Sequence, residues 1–370
     1  TPYEHISVMN RMLTFCETAE DIYRLQFRNM DTGDSLLLET TVPVLNPISN
    51  GRVCAWRTSY DSDKRLYVYD HKADTMEWIE LPKDVLEKEG DFFSYAVLDR
   101  MVIVNYRGSS LSRVCRLLCY DIETKTYTEL ASVDKNETLL YTFQDSGARV
   151  SLEMSLEQGD FRVLEVFYSP LTKRRGNVMK KSALLLLFLL LVLTACGADK
   201  KPVETIRAVE EDEIQKGVYQ EVEFLEHMPE VTQIVPFRPE NAGGGCFCAN
   251  GNAVFYLVYF GDYLVDQEAG NNKEFESQYN TQIWRYDKES GKCELTYQYD
   301  EDWCVEIYRM FCNEDTIVWV DQDEKGWRLQ AMRLDGSASP EIIASKSDMD
   351  SDLWTVTPVI DGNKVFWYDS

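Results

Sequence analysis

Four stretches of this chain can be laid over one another: RLYVYDHKADTMEWIEL from Arg65, RLLCYDIETKTYTEL from Arg116, QIWRYDKESGKCELTY from Gln282 and QAMRLDGSASPEIIA from Gln330. Each is an alternating apolar run, an aspartate, a polar turn and a second run, the pattern of two half-buried antiparallel strands. Asp70, Asp121, Asp287 and Asp335 head the turns, where a short carboxylate folds back onto turn amides. That chemistry makes them turn residues rather than catalysts. Within each half the units recur at a spacing of about 50 residues, the length of a propeller blade. A sheet of this size cannot bury both faces alone, so such units must pack radially around an axis. The fold class expected is therefore all-β, built of β-propeller-like four-stranded antiparallel blades.

A second element precedes each unit. Asn50-Gly51 leads into Val53-Cys54-Ala55-Trp56, Asn250-Gly251 into Val254-Phe255-Tyr256, and Asp361-Gly362 into Val365-Phe366-Trp367. These dipeptides are hairpin-turn signals, read here as turns whose two central residues both take positive φ. Trp56, Tyr256, Trp319 and Trp367 fall at equivalent strand positions and are expected in the core between blades. About four units precede residue 178, and two to three follow residue 240. The first set stops after a third strand, where Tyr168-Ser169-Pro170 replaces the usual turn, so an open sheet edge is expected there.

Between the two sets lies MKKSALLLLFLLLVLTAC, residues 179–196. Lys180 and Lys181 precede an apolar run of about 13 residues, the length of a signal-peptide core. As a helix, Ser182 to Ala195 would be only ~21 Å long, short of a hydrocarbon core of ~30 Å. The run ends in Leu193, Thr194, Ala195 and Cys196, a lipobox-like sequence with Cys196 as the lipid attachment site. A short internal anchor and a buried helix are the alternatives. The chain divides on this reading into 1–178, the end of one propeller; 179–196, a short hydrophobic helix serving as signal peptide; 197–240, an acidic tether with first strands; and 241–370, the start of a second propeller. With Met179 placed like a start codon, the whole resembles a fusion of two incomplete reading frames.

The chain carries 63 acidic against 38 basic residues, net −25. About 20 of those charges follow Cys196, since residues 197–370 hold 35 acidic and 15 basic side chains. Such a surface repels nucleic acid and anionic headgroups. Ten cysteines are scattered without a repeating spacing. Cys54, Cys115, Cys119, Cys293, Cys304 and Cys312 lie in or beside apolar runs, as small buried hydrophobes do. Cys246-Phe247-Cys248 is closer than zinc spacing allows. His5, His71 and His227 are far apart in the sequence, with no ligand pair and no nucleophile beside them, and His71 is expected to be exposed in its turn.

No catalytic residue is assigned. Gly243 to Gly245 lack the Lys-Ser or Lys-Thr of a phosphate loop and are expected to form a hinge. Asp321-x-Asp323-x-x-Gly326 and Asp348-x-Asp350-x-Asp352 lack the closing glutamate of a calcium loop, with Met332 and Val359 in its place. Asp348, Asp350 and Asp352 remain weak metal candidates on ligand type alone; no other metal site and no cofactor is expected.

Lipobox and blade units together resemble the β-propeller lipoproteins of Gram-positive bacteria, with TolB-like or low-density-lipoprotein-receptor-like repeats. The resemblance covers most of both halves and implies a diacylglycerol on Cys196. It further implies diacylglyceryl transferase and lipoprotein signal peptidase as maturation partners, and attachment to the outer leaflet. It brings no activity with it. The expected function is a surface-tethered propeller that binds a peptide, glycan or protein partner without turnover. A hydrolase or lyase of envelope polysaccharide, which would show paired carboxylates at the channel mouth, and a structural part of an envelope assembly are the competing readings.

Overall fold

The computed structural model describes residues 3–167 and 203–367, apart from 10, 20–21, 59–64, 81–90, 108–114, 134–136, 147–148, 157–160, 238, 240–241, 244–245, 261–279, 300–305, 324–325, 336–338, 348–357 and 362. Leu193, Thr194, Ala195 and Cys196 of the lipobox, the hydrophobic segment around them, and Asp348, Asp350 and Asp352 all lie outside the described residues.

The strands follow the chain as successive antiparallel meanders. Blade I consists of Tyr3–Met9 (β1), Met12–Ala19 (β2), Ile22–Asn29 (β3) and Ser35–Thr40 (β4). Blade II has Leu45–Ser49 (β5), Val53–Arg57 (β6), Arg65–Asp70 (β7) and Thr75–Glu80 (β8). Blade III has Asp91–Leu98 (β9), Met101–Arg107 (β10), Cys115–Asp121 (β11) and Thr126–Val133 (β12). Blade IV begins with Glu137–Ser146 (β13), Arg149–Leu156 (β14) and Phe161–Phe167 (β15). Next come Glu204–Val209 (β16), Gln215–Lys216 (β17), Gln220–Glu221 (β18) and Glu230–Ile234 (β19).

Blade V is formed by Ala242–Gly243 (β20) and Phe247–Ala249 (β21), both paired with Ala253–Phe260 (β22), then Asn280–Asp287 (β23) and Cys293–Gln298 (β24). Blade VI has Glu306–Cys312 (β25), Thr316–Asp323 (β26), Gly326–Arg333 (β27) and Glu341–Lys346 (β28). Blade VII comprises, among the described residues, the hairpin Val359–Asp361 (β29) and Lys364–Phe366 (β30). The inner strands β1, β5, β9, β13, β21, β25 and β29 neighbour one another in turn, and β29 returns to β1, so the blades form one ring. The only helical piece among the described residues is a single 3-10 turn, Glu211–Glu213. No helix there is long and apolar enough to cross a membrane.

Alternation in the sequence suggested strands buried on one face only, but the second strands of blades II, III, V and VI are buried on both. In β6, Val53 and Ala55 pack toward blade III, whereas Cys54 and Trp56 pack toward blade I. In β22, Phe255 and Leu257 face blade VI while Val254, Tyr256 and Val258 face blade IV. In β26, Ile317 and Trp319 face blade V, and Val318 and Val320 face blade VII. Radial stacking causes this, because each sheet is sandwiched between two others. Trp56, Tyr256 and Trp319 are at most 1% exposed, as expected. Trp367 is the exception at 38%, because no further strand covers β30 among the described residues.

The open edge expected on β15 is absent. β19 pairs antiparallel with it, Val163 opposite Ile234 through Phe167 opposite Glu230, and so supplies the fourth strand of blade IV. The acidic stretch expected to be a solvated tether folds from Glu204 onward as a strap around the rim. β16 adds to β4, β17 to β8 and β18 to β12, each in parallel, giving blades I, II and III a fifth strand. Glu211–Glu213 form the exposed crossing from blade I to blade II.

Replacing Trp319 by alanine removes the largest side chain shared by blades V and VI. We expect a loss of about 3–5 kcal/mol in urea unfolding, against less than about 0.5 kcal/mol for Trp367→Ala at its exposed position.

Candidate functional site

The two faces of the ring differ. One face carries the turns between the first and second and between the third and fourth strands of each blade, mostly two to five residues long. There Asp70 accepts the amides of Lys72 (2.8 Å) and Ala73 (3.1 Å). Asp121 accepts those of Glu123 and Thr124, and Asp287 that of Ser290. These three aspartates are turn residues, as their place in the repeat indicated. Asp335 instead pairs with Arg333 at 3.5 Å.

The asparagines of the same face do more than turn the chain. Asn50 Oδ1 accepts the amides of Arg52 and Val53, and its Nδ2 donates across the blade boundary to the Asp99 carbonyl at 2.7 Å. Asn250 repeats this with Asn252, Ala253 and the Asn313 carbonyl at 2.8 Å. The asparagine therefore precedes the two central residues of the turn, which corrects the expectation that it occupies one of them. Gly51 takes a positive φ of 83°, whereas Asn50 and Gly251 do not.

Charge holds the same rim. Glu123 of blade III is reached at 3.1 Å by Arg52 and by Lys72, both from blade II, and by Arg100. Hydrogen bonds from Lys72 and Arg100 hold its carboxyl down at about 2. Arg100 also pairs with buried Asp121 at 2.8 Å. Lys288 of blade V reaches buried Glu165 of blade IV and the Asn250 carbonyl.

His71, expected to be exposed, is instead partly buried edge-on against Phe27 and Tyr69, with ring centroids 4.4 and 4.8 Å apart. Burial lowers it to about 4, more than Asp70 and Asp74 raise it. His227 is exposed beside Glu226 at 3.8 Å, and His5 has no described side-chain surroundings.

Toward the opposite face, one buried polar cluster joins blades V and VI. The Asp321 carboxylate accepts from Arg328 Nε at 2.8 Å and Trp319 Nε1 at 3.1 Å, and from Tyr299 and Gln330. Trp319 Nε1 also donates to the Tyr299 hydroxyl at 2.7 Å. Burial raises Asp321 although all of these bonds favour its charged form. At 0% exposure it cannot reach a substrate, so its role is to lock the two blades. In the sequence, Asp321-x-Asp323-x-x-Gly326 reads more as a hairpin turn than as a calcium loop. β26 and β27 form a hairpin closed at Asp323 opposite Gly326, and Asp321 is saturated by protein donors. The signal for this cluster was an aspartate two residues beyond Trp319, on the same face of a strand.

Of the cysteines assigned to apolar runs, Cys54, Cys119 and Cys312 are buried. Cys293 is partly buried and accepts the Phe237 amide at 3.3 Å. Burial raises the thiols of Cys54 and Cys119 well above the ordinary value, so both are inert as nucleophiles. Cys246 and Cys248 join no metal-binding group among the described residues. Gly243 ends β20, while Gly244 and Gly245 of the expected hinge lie outside the described residues.

Apart from 168–203, the longest connections are 81–90, 261–279 and 347–358, and all join strand ends on the face opposite the Asn and Asp turns. Asp348, Asp350 and Asp352 belong to the last of these. Connections held by a rigid scaffold are where binding residues concentrate, so this face is the candidate functional surface.

No protein-family model matches the chain, and no curated protein matches it. Among solved structures it is similar to one from a structural and mechanistic analysis of two prolyl endopeptidases (8% identity, TM-score 0.51, 96% of this chain and 42% of that one). It is also similar to prolyl oligopeptidase B from Galerina marginata (9% identity, TM-score 0.50, 96% and 44%). A third similarity is to the β-propeller domain of the Trilobed protease from Pyrococcus furiosus (10% identity, TM-score 0.48, 97% and 89%). The chain spans less than half the length of the two prolyl peptidases. At these identities the likeness is one of fold: this chain forms a β-propeller resembling the propeller domains of peptidases.

Arg328→Ala leaves Asp321 buried without its cation, and we expect a loss of about 3–5 kcal/mol in urea unfolding. Because removing the cation raises the folded-state pKa of Asp321 further, that loss should shrink as pH falls and the carboxyl is protonated in the native state. His71 works in the opposite sense. Its folded value of about 4 lies below the unfolded value, so the unfolded state takes up more protons. Stability should therefore fall as pH drops from about 6.5 to about 4. A His71→Leu variant should show a shallower loss across that window in urea titrations.

Proposed function

We propose that this chain is a lipid-anchored, extracytoplasmic β-propeller that binds a cationic peptide or protein partner on its long-connection face, without turnover. The observation that carries the reading is the division of labour between the faces. One is tied by Asn50, Asn250, Glu123 and their cross-blade partners, and the other carries the long connections.

The strap supports an orientation. Val203, the residue before β16, sits at the turn-face end of blade I, where its amide donates to Asp34 at 2.8 Å. Cys196 lies seven residues earlier and so within about 25 Å of that end even if the chain is extended. A lipid on Cys196 would turn the tied face toward the membrane and the long connections outward. Residues 261–279 contain Asp262, Asp266, Glu268, Glu274 and Glu276 against the single cation Lys273, and 347–358 add Asp348, Asp350 and Asp352. Such acidic connections favour a partner of positive charge. The buried carboxylates Asp121, Glu165 and Asp321 are each paired with an arginine or lysine. That suits them to structural work rather than proton transfer.

Expression in a Gram-positive host with an alkyne-tagged fatty acid should label the protein, and Cys196→Ala should abolish the label. Replacing residues 262–278 by a short Gly-Ser linker should weaken binding to an immobilised cationic peptide library at least tenfold while leaving the urea midpoint in place. An unlabelled wild type would overturn the anchor, and unchanged binding would overturn the assignment of the face.

A further inference from the structure

We propose that residues 203–234 are a docking strap whose attachment to blades I to IV does not depend on the covalent connection through 168–202. Once a peptide bond in that connection is hydrolysed, residues 203–370 remain bound to residues 1–167 as a two-chain propeller.

The strap meets the blades through four separate sets of main-chain bonds. β16 pairs along its whole length with β4, Glu204 opposite Ser35 through Val209 opposite Thr40. At blade II, the Gly217 amide donates to the Trp78 carbonyl at 2.8 Å. At blade III, the Gln220 and Val222 amides donate to the carbonyls of Lys125 (3.0 Å) and Tyr127 (2.9 Å), and the Thr128 hydroxyl donates to the Glu223 carbonyl (3.0 Å). At blade IV, β19 completes the sheet. Between these stations the strap sinks one apolar side chain after another into the cores between blades. Val209 and Ile214 join the core of blades I and II, Leu225 that of III and IV, and Ile234 that of IV and V, none more than 9% exposed.

Polar contacts fix the register. Arg207 pairs with Asp74, Lys216 with Glu80, and the Tyr219 hydroxyl donates to Glu77, which Lys125 also holds. The Tyr219 ring stands edge-on to Tyr120 at 5.1 Å. Beyond the strap, blade V packs on blade IV through Val254, Tyr256, Val258 and Val163, and Lys288 of blade V holds Glu165 of blade IV. A covalent linker contributes effective concentration and no contact of its own. The contacts given above are all made by described residues on either side of it.

The consequence rests on the proposed anchor only for the identity of the bond. Water adding across Ala195–Cys196, under a lipoprotein signal peptidase, leaves a carboxylate on Ala195 and an amino group on Cys196.

The test uses the full chain with a site-specific protease sequence inserted between Val178 and Met179, cut either in the folded state or in dilute urea before refolding. Both fragments should elute together as one species in native buffer at about 1 μM, a concentration that separates weak encounters from specific interfaces, and should part only in denaturing urea. Leu225→Asp combined with Ile234→Asp should raise the dissociation constant of the cut protein at least tenfold. Separation of the wild-type fragments in native buffer, or an unchanged dissociation constant in the double variant, would overturn the proposal. The engineered cut is indifferent to lipid on Cys196, so a failure here leaves the anchor standing, and a failed lipid label leaves the strap standing.

Discussion

The ring depends on second strands in blades II, III, V and VI that are apolar on both sides. A sheet whose second strand reads Val53-Cys54-Ala55-Trp56, buried at every position, has no face to offer to water. It must lie between two other sheets, and those have the same need. The requirement passes from sheet to sheet until the series closes on itself, which β29 achieves by returning to β1. The ring is thus the arrangement that leaves the fewest such faces uncovered. Buried carboxylates enter this stack paired with an arginine or lysine. Asp321 is admitted among Tyr299, Trp319, Arg328 and Gln330, because a buried carboxylate without partners would cost more than the packing returns.

The fold was legible in the sequence because its information is local. The turn aspartates Asp70, Asp121 and Asp287 bond amides two or three residues away, so the repeat that betrays them also explains them. What escaped was whatever depends on distant partners. The Asn50 and Asn250 side-chain amides reach 49 and 63 residues along the chain, to the Asp99 and Asn313 carbonyls. A dipeptide rule about hairpins could not show that. His71 was read as exposed because its neighbours in sequence are polar, whereas Phe27, which covers it, belongs to another blade.

First strands were expected within 197–240, but their pairing with blades I to IV was the largest omission, and for a physical reason. Its composition is acidic, which in an isolated segment signals solvation. A fifth strand on the outer rim has one side to water, so Glu210 to Glu213 can stay exposed while Val209 and Ile214, on either side, are buried. Four widely spaced apolar residues then suffice, and they are too sparse to give a period. The long-connection face was legible only as a difference in loop length, since the acidic residues that distinguish it are spread over stretches far apart in sequence.

The direction of the first strap strand has a mechanical side. β16 runs parallel to β4 from its Val203 end, with the tied turns of blade I beside that end. Tension arriving through Val203 from beyond the turn face pulls along the strand axis. The hydrogen bonds between β16 and β4 then share the load in shear, whereas a pull across the strand would open them one at a time like a zipper. A propeller tugged by this thread would keep its grip on blade I until the whole strand slid at once.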